Sequence, residues 1–150
     1  MKLTALAAGV LMIAAPAFAD EVAPADVVFG EYGEIEASLT GVAGDPAAGR
    51  DAFLGRRLGN CLACHENSDL ADQPFHGEVG PSLDGVADRW TEADLRGILV
   101  NSKNVFPETI MPAFYVADGY NRNLEQFEGN TILSAQQVED VVAYLMTLQE

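Results

Sequence analysis

The chemistry of this chain sits in one short run: Cys61 and Cys64, with His65 directly after them. These are the only cysteines present. A C-x-x-C-H run suits covalent attachment of haem. Each thiol can add to one vinyl group, and the Leu62-Ala63 span keeps both sulfurs on one edge of the porphyrin. The imidazole that follows can then lie beneath the iron as its proximal ligand. Three other readings compete: a redox-active C-x-x-C, a pair of zinc ligands and a structural disulfide. A thioredoxin-like motif follows a buried strand in a βαβ setting, whereas the residues before Cys61 read as helix. Zinc needs a full tetrahedral set, and the sequence adds one further histidine and no further cysteine.

A haem held by His65 has a second face, for which His76, Met111 and Met146 are the strong candidates. Met146 falls in the last helical pattern near its apolar side, a place for core packing. His76 lies in a loop flanked by Gly and Pro and would have to wrap tightly round the haem edge, so a surface position is expected. Met111 follows a helix, in a loop from which the chain can return to the opposite face, and Pro112 stiffens the backbone beside it. Met111 is the expected sixth ligand, with a packed core methionine as the alternative. A thioether favours ferrous iron and raises the reduction potential. It also fills the coordination sphere, which disfavours dioxygen or peroxide chemistry and leaves outer-sphere electron transfer.

The elements that must position these residues are helical. Asp45 can cap a helix that Pro46 opens and Gly59 ends, with Ala47, Ala48, Phe53, Leu54 and Leu58 on its apolar side. Within the loop after His65, Gly80-Pro81-Ser82-Leu83 offers a proline carbonyl to the second ring nitrogen of the proximal histidine. Thr91 and Asp94 form a capping box for a short helix with Leu95, Ile98 and Leu99 inward. Ser134 and Gln137 form another, with Leu133 and Val138 as a hydrophobic staple. Val138, Val141, Val142, Leu145 and Leu148 then mark one helix face. Residues 20–44 are acidic and glycine-rich without periodicity. They read as an extended arm that either lies along the domain or clasps a partner.

The first residues are expected to be an export signal. Lys2, the apolar run Leu3–Ala15 and the Ala17-Phe18-Ala19 site predict cleavage before Asp20. The run is shorter than the ~20 residues a membrane span requires, so a soluble periplasmic protein is expected. The remainder suits a single haem domain over 45–150. The chain carries 8 Lys and Arg against 23 Asp and Glu, a formal charge of −15. That argues against nucleic acid and anionic membranes as partners and permits steering toward a basic one. Arg50, Arg56 and Arg57 hold much of the basic charge and are expected on a solvated helix face.

Cys61-x-x-Cys64-His65, the GPSL at 80–83, a late loop methionine and a terminal helix with an aromatic together resemble class I cytochromes c. The resemblance implies an all-α fold in which helices over 46–59 and 135–148 cross around one covalent haem c. Gly49 and Phe53 would then face Tyr144 and Leu145. The runs GNCLACH (59–65), TIMPAFY (109–115) and ILSAQQVEDVVAYL (132–145) are more specifically similar to the SoxX subunits of SoxAX cytochromes. That likeness covers most of the chain from Asp45 onward. It implies a mono-haem electron-transfer subunit paired with a SoxA-like cytochrome that holds the catalytic haem. Together they would form an L-cysteine S-thiosulfotransferase, joining thiosulfate oxidatively to a cysteine of a SoxYZ-like carrier. By the same likeness His65 and Met111 hold the iron, and electrons leave to a soluble cytochrome c. A free-standing electron shuttle is the alternative. A haem enzyme or gas sensor with an open iron site is a third, and Met111 argues against it.

Overall fold

The computed structural model describes residues 21–150 and is helical, with no strand among them. The expected export signal lies outside the described residues. Four α-helices form the frame: α1 (Pro46–Leu54), α2 (Val86–Arg89), α3 (Glu92–Asn101) and α4 (Ala135–Leu145), joined by loops with short 3₁₀ turns.

α1 starts as its sequence dictates. Asp45 accepts the Ala47 amide at 2.9 Å, and Pro46 takes the first helical position. Its end differs from the expectation: it stops at Leu54, not at Gly59. Gly55 leaves the helical region while its own amide still bonds to Asp51 O at 2.9 Å. The chain then folds back through tight turns, with Gly59 N donating to Ala52 O at 3.1 Å. The span between Leu54 and Cys61 is thus made of turns, not helix. The buried face also differs. Ala47 and Ala48 are exposed, and Gly49, Ala52 and Phe53 are buried instead.

α1 packs against α4. A Cβ at Gly49 would overlap the Asp140 carbonyl and crowd Tyr144 Cβ at 2.9 Å, so only glycine permits this approach. Phe53 meets Tyr144 edge to face, with ring centroids 5.5 Å apart. The two helices of the sequence reading therefore meet as expected, through Gly49, Phe53 and Tyr144. Both capping boxes form, at Thr91/Asp94 and at Ser134/Gln137. Val138, Val141, Val142, Leu145 and Leu148 are all buried. α4 ends at Leu145, earlier than 148, and Leu148 packs into the core from the following turn.

The arm lies along the domain. Ile35 and Leu39 are core residues, and Ile35 N donates to Ala93 O at 3.0 Å. A buried ion pair fastens it. Arg96 of α3 binds Glu139 of α4 through two bonds, of 2.9 and 3.0 Å. Arg96 Nη1 also donates to Ile35 O at 2.8 Å, and Leu39 N donates to Glu139 Oε1 at 2.7 Å. Two charges out of water are tolerated because each is paired and further hydrogen-bonded. The arm's order thus comes from non-local bonds, which its local sequence does not encode.

Candidate functional site

Cys61, Cys64 and His65 come together in one 3₁₀ turn that follows Asn60, whose φ of 48° turns the chain. Cys64 N and His65 N both donate to Cys61 O at 3.0 Å. Neither thiol is in a disulfide, and both are half-buried. Burial pushes the Cys61 thiol up to about 12, with its own main chain opposing and Cys64 adding slightly. Cys61 is therefore a neutral thiol at physiological pH.

His65 is oriented by the loop that follows it. Its Nδ1 lies 2.7 Å from Pro81 O. A carbonyl has no proton to give, so Nδ1 carries the hydrogen and Nε2 keeps the lone pair. The ring lies against Gly80, where a Cβ would overlap it and crowd Nδ1 at 2.7 Å. The loop that supplies these contacts is pinned at several points. Gly80 N and Val79 N donate to Cys64 O, and Leu83 N donates to Glu66 O at 2.9 Å. Asp84 receives the Ser68 amide at 2.7 Å and the Ser68 hydroxyl at 2.6 Å. Those Ser68 bonds hold the Asp84 carboxyl below its ordinary value. Arg89 donates to the carbonyls of Asp84 and Ser82.

A polar network ties this segment to α4. Asn67, with no exposed surface, donates to Tyr144 Oη at 3.0 Å, and Tyr144 donates to Asp69 at 2.9 Å. Burial, and secondarily Asp69, raises the Tyr144 hydroxyl well above its ordinary range, so it stays a donor. His76 differs from the expected surface position. It is half-buried, accepts the Asn67 amide at Nδ1 (3.3 Å) and lies with Nε2 3.0 Å from Leu70 O. With its lone pair facing Asn67 and its proton facing Leu70, it has nothing left for a metal. Arg50 pairs with Asp72 at 3.6 Å, and Arg56 and Arg57 are exposed.

Met111 lies on a separate loop and is half-buried against the core, as is Met146. Its main chain is held at both ends. Met111 N donates to Thr109 Oγ1 at 3.2 Å, and its carbonyl accepts the Ser102 hydroxyl at 2.8 Å and Lys103 Nζ. The strand of chain beyond it is fixed to α3, with Phe114 N on Leu99 O at 3.0 Å. No hydrogen bond in the described residues uses the thioether. Sequence reasoning missed the Ser102, Lys103 and Asn67 contacts. An asparagine two residues after a histidine and a polar pair closing a helix were the available signals, and each is common in loops.

The residues fit a covalently held haem. Two unpaired cysteines stand beside an imidazole whose tautomer leaves Nε2 free to bind a metal. Among the described residues no cluster of His, Cys, Asp or Glu is arranged to hold a metal ion by itself.

The fold and this turn define the class, and the comparisons agree. The cytochrome c family model matches residues 47–149, and the chain belongs to that family. Among solved structures, SoxXA from P. pantotrophus is 49% identical, with 87% of this chain and 100% of that chain covered and a TM-score of 0.82. This chain is accordingly a SoxX-like electron-transfer cytochrome with covalent haem c. The c-type cytochrome SorU from Sinorhizobium meliloti is 27% identical over 69% of this chain and 90% of its own, with a TM-score of 0.46. No curated protein matches the chain.

Proposed function

We propose that residues 45–150 form a mono-haem domain in which Cys61 and Cys64 carry the thioether bonds and His65 and Met111 bind the iron. Bound there, the haem supplies one-electron, outer-sphere chemistry. The observation that supports the assignment most strongly is the Pro81 carbonyl on His65 Nδ1, because it makes Nε2 the basic nitrogen and fixes its aim. A neutral imidazole and a thioether add no net charge and hold both oxidation states. The thioether weights the couple toward the ferrous form.

This chain works beside a SoxA-like subunit in the periplasm. There it receives electrons released when thiosulfate is joined to a carrier cysteine, and passes them to a soluble cytochrome c. The likeness to SoxXA supports the pairing, and the cysteine count supports a non-catalytic role: Cys61 and Cys64 are both committed to attachment, leaving no thiol for the iron. No helix among the described residues is long and apolar enough to cross a membrane, which fits a site of action in an aqueous compartment.

Isolation from the native periplasm tests this reading. The expected result is one covalent haem on this chain and a second cytochrome subunit at equal stoichiometry. A monomer that reduces an oxidase or reductase without such a partner would make it a free-standing shuttle instead.

A further inference from the structure

Ser102 and Lys103, at the end of α3, both reach the Met111 carbonyl. The Ser102 hydroxyl is buried and lies 2.8 Å from Met111 O and 3.4 Å from Pro112 O. Lys103 Nζ contacts the same Met111 oxygen. Both donors are themselves fixed. Asn101 Oδ1 accepts Lys103 N at 3.2 Å, and Ser102 O accepts Phe106 N at 2.8 Å. Lys103 is the one lysine among the described residues. One hydroxyl would suffice to satisfy the carbonyl. An ammonium added to it makes a charge-assisted bond and puts a full positive charge next to the residue that binds the iron.

We propose that Ser102 and Lys103 form a two-donor clamp on the Met111 carbonyl. The hydroxyl holds the loop so that the thioether stays on the iron in both oxidation states. The ammonium charge disfavours the ferric form. Both are positioning residues, since neither touches the metal, and the proposal rests on Met111 being the ligand. No bond forms or breaks in the one-electron exchange, and the clamp only weights the two oxidation states.

Full-length holoprotein carrying Ser102→Ala, Lys103→Gln, Lys103→Arg or Met111→Ala tests the clamp. Three quantities are read: the midpoint potential, the azide affinity of the ferric protein, and the methionine-to-ferric-iron charge-transfer band. Ser102→Ala should raise azide affinity about tenfold, the equivalent of one hydrogen bond. Lys103→Gln should weaken the preference for ferrous iron about tenfold, a fall of about 59 mV for a one-electron couple. Lys103→Arg should restore the potential, which a purely structural side chain would not do. Should Ser102→Ala fail to assemble, the two Lys103 variants still decide the charge effect. Wild-type potential in Lys103→Gln overturns the clamp. If the band survives in Met111→Ala, Met111 is not the ligand and the clamp falls with that assignment. If the band is lost there while Lys103→Gln and Ser102→Ala behave as wild type, only the clamp falls.

Discussion

The two loops that flank the site are fixed in opposite ways. On the proximal side the side chain itself is held: His65 is bonded through Nδ1 to Pro81 and laid against Gly80. On the distal side the main chain is held, through Met111 N and O, and the thioether is left without a bond of its own. The difference follows from the chemistry of the two proposed ligands. An imidazole has two nitrogens, so one can be used to aim the other. A thioether is only a weak acceptor, so the hydrogen bonds that place Met111 are made by its backbone. The proposed proximal ligand is held rigidly, with its tautomer set by Pro81. The proposed distal ligand is soft and depends on loop order.

The largest expected effect falls on the frame that both loops share. Glu139→Ala leaves the buried Arg96 with only the exposed Glu92, at 3.9 Å, as a charge partner and frees the arm, and should cost about 3–5 kcal/mol in chemical denaturation. It should loosen both regions together. Loss confined to one loop would show that the frame is not common to them.

Gly80→Ala breaks the proximal side alone. The new methyl overlaps the His65 ring, and the forced shift should cost about 1–3 kcal/mol. The optical spectrum should gain a component with weakened histidine ligation while the thioether bonds stay intact. A wild-type spectrum would mean that the imidazole does not rely on this cradle.

Acidification gives the smallest effect. The Asp84 carboxyl is held below its ordinary value of 3.8 by Ser68, so its contribution is full above that value and lost as pH falls through the lower folded value. The protection factor of the Ser68 amide, the slowing of its exchange relative to an unstructured amide at the same pH, should therefore hold at pH 5 and fall below 3.8, before any change at the Met111 amide. Simultaneous loss at both amides would contradict independent anchoring.

Local chemistry was legible in the sequence. The attachment turn, the Pro81 carbonyl and both capping boxes depend on residues close in the chain, where spacing fixes geometry. The crossing of α1 and α4 followed from the family resemblance. The end of α1 departs from its apolar pattern because Gly55, followed by two exposed arginines, breaks the helix while that pattern continues to Leu58. What the sequence hid was polar and long-range. Arg96 meets Glu139 across 43 positions and Asn67 meets Tyr144 across 77, and neither residue signals a partner locally. Glu139 and Asp140 stand between the apolar Val138 and Val141 in α4, and both charges prove buried.

The ligand pair is tested most directly by proton–carbon NMR of the ferrous holoprotein with methyl-labelled methionine. Of the two methionines among the described residues, Met111 and Met146, one methyl should be displaced far upfield by the porphyrin ring current. It should disappear in Met111→Ala and persist in Met146→Leu. A displaced methyl that persists in Met111→Ala would contradict the assignment and give the distal position to Met146.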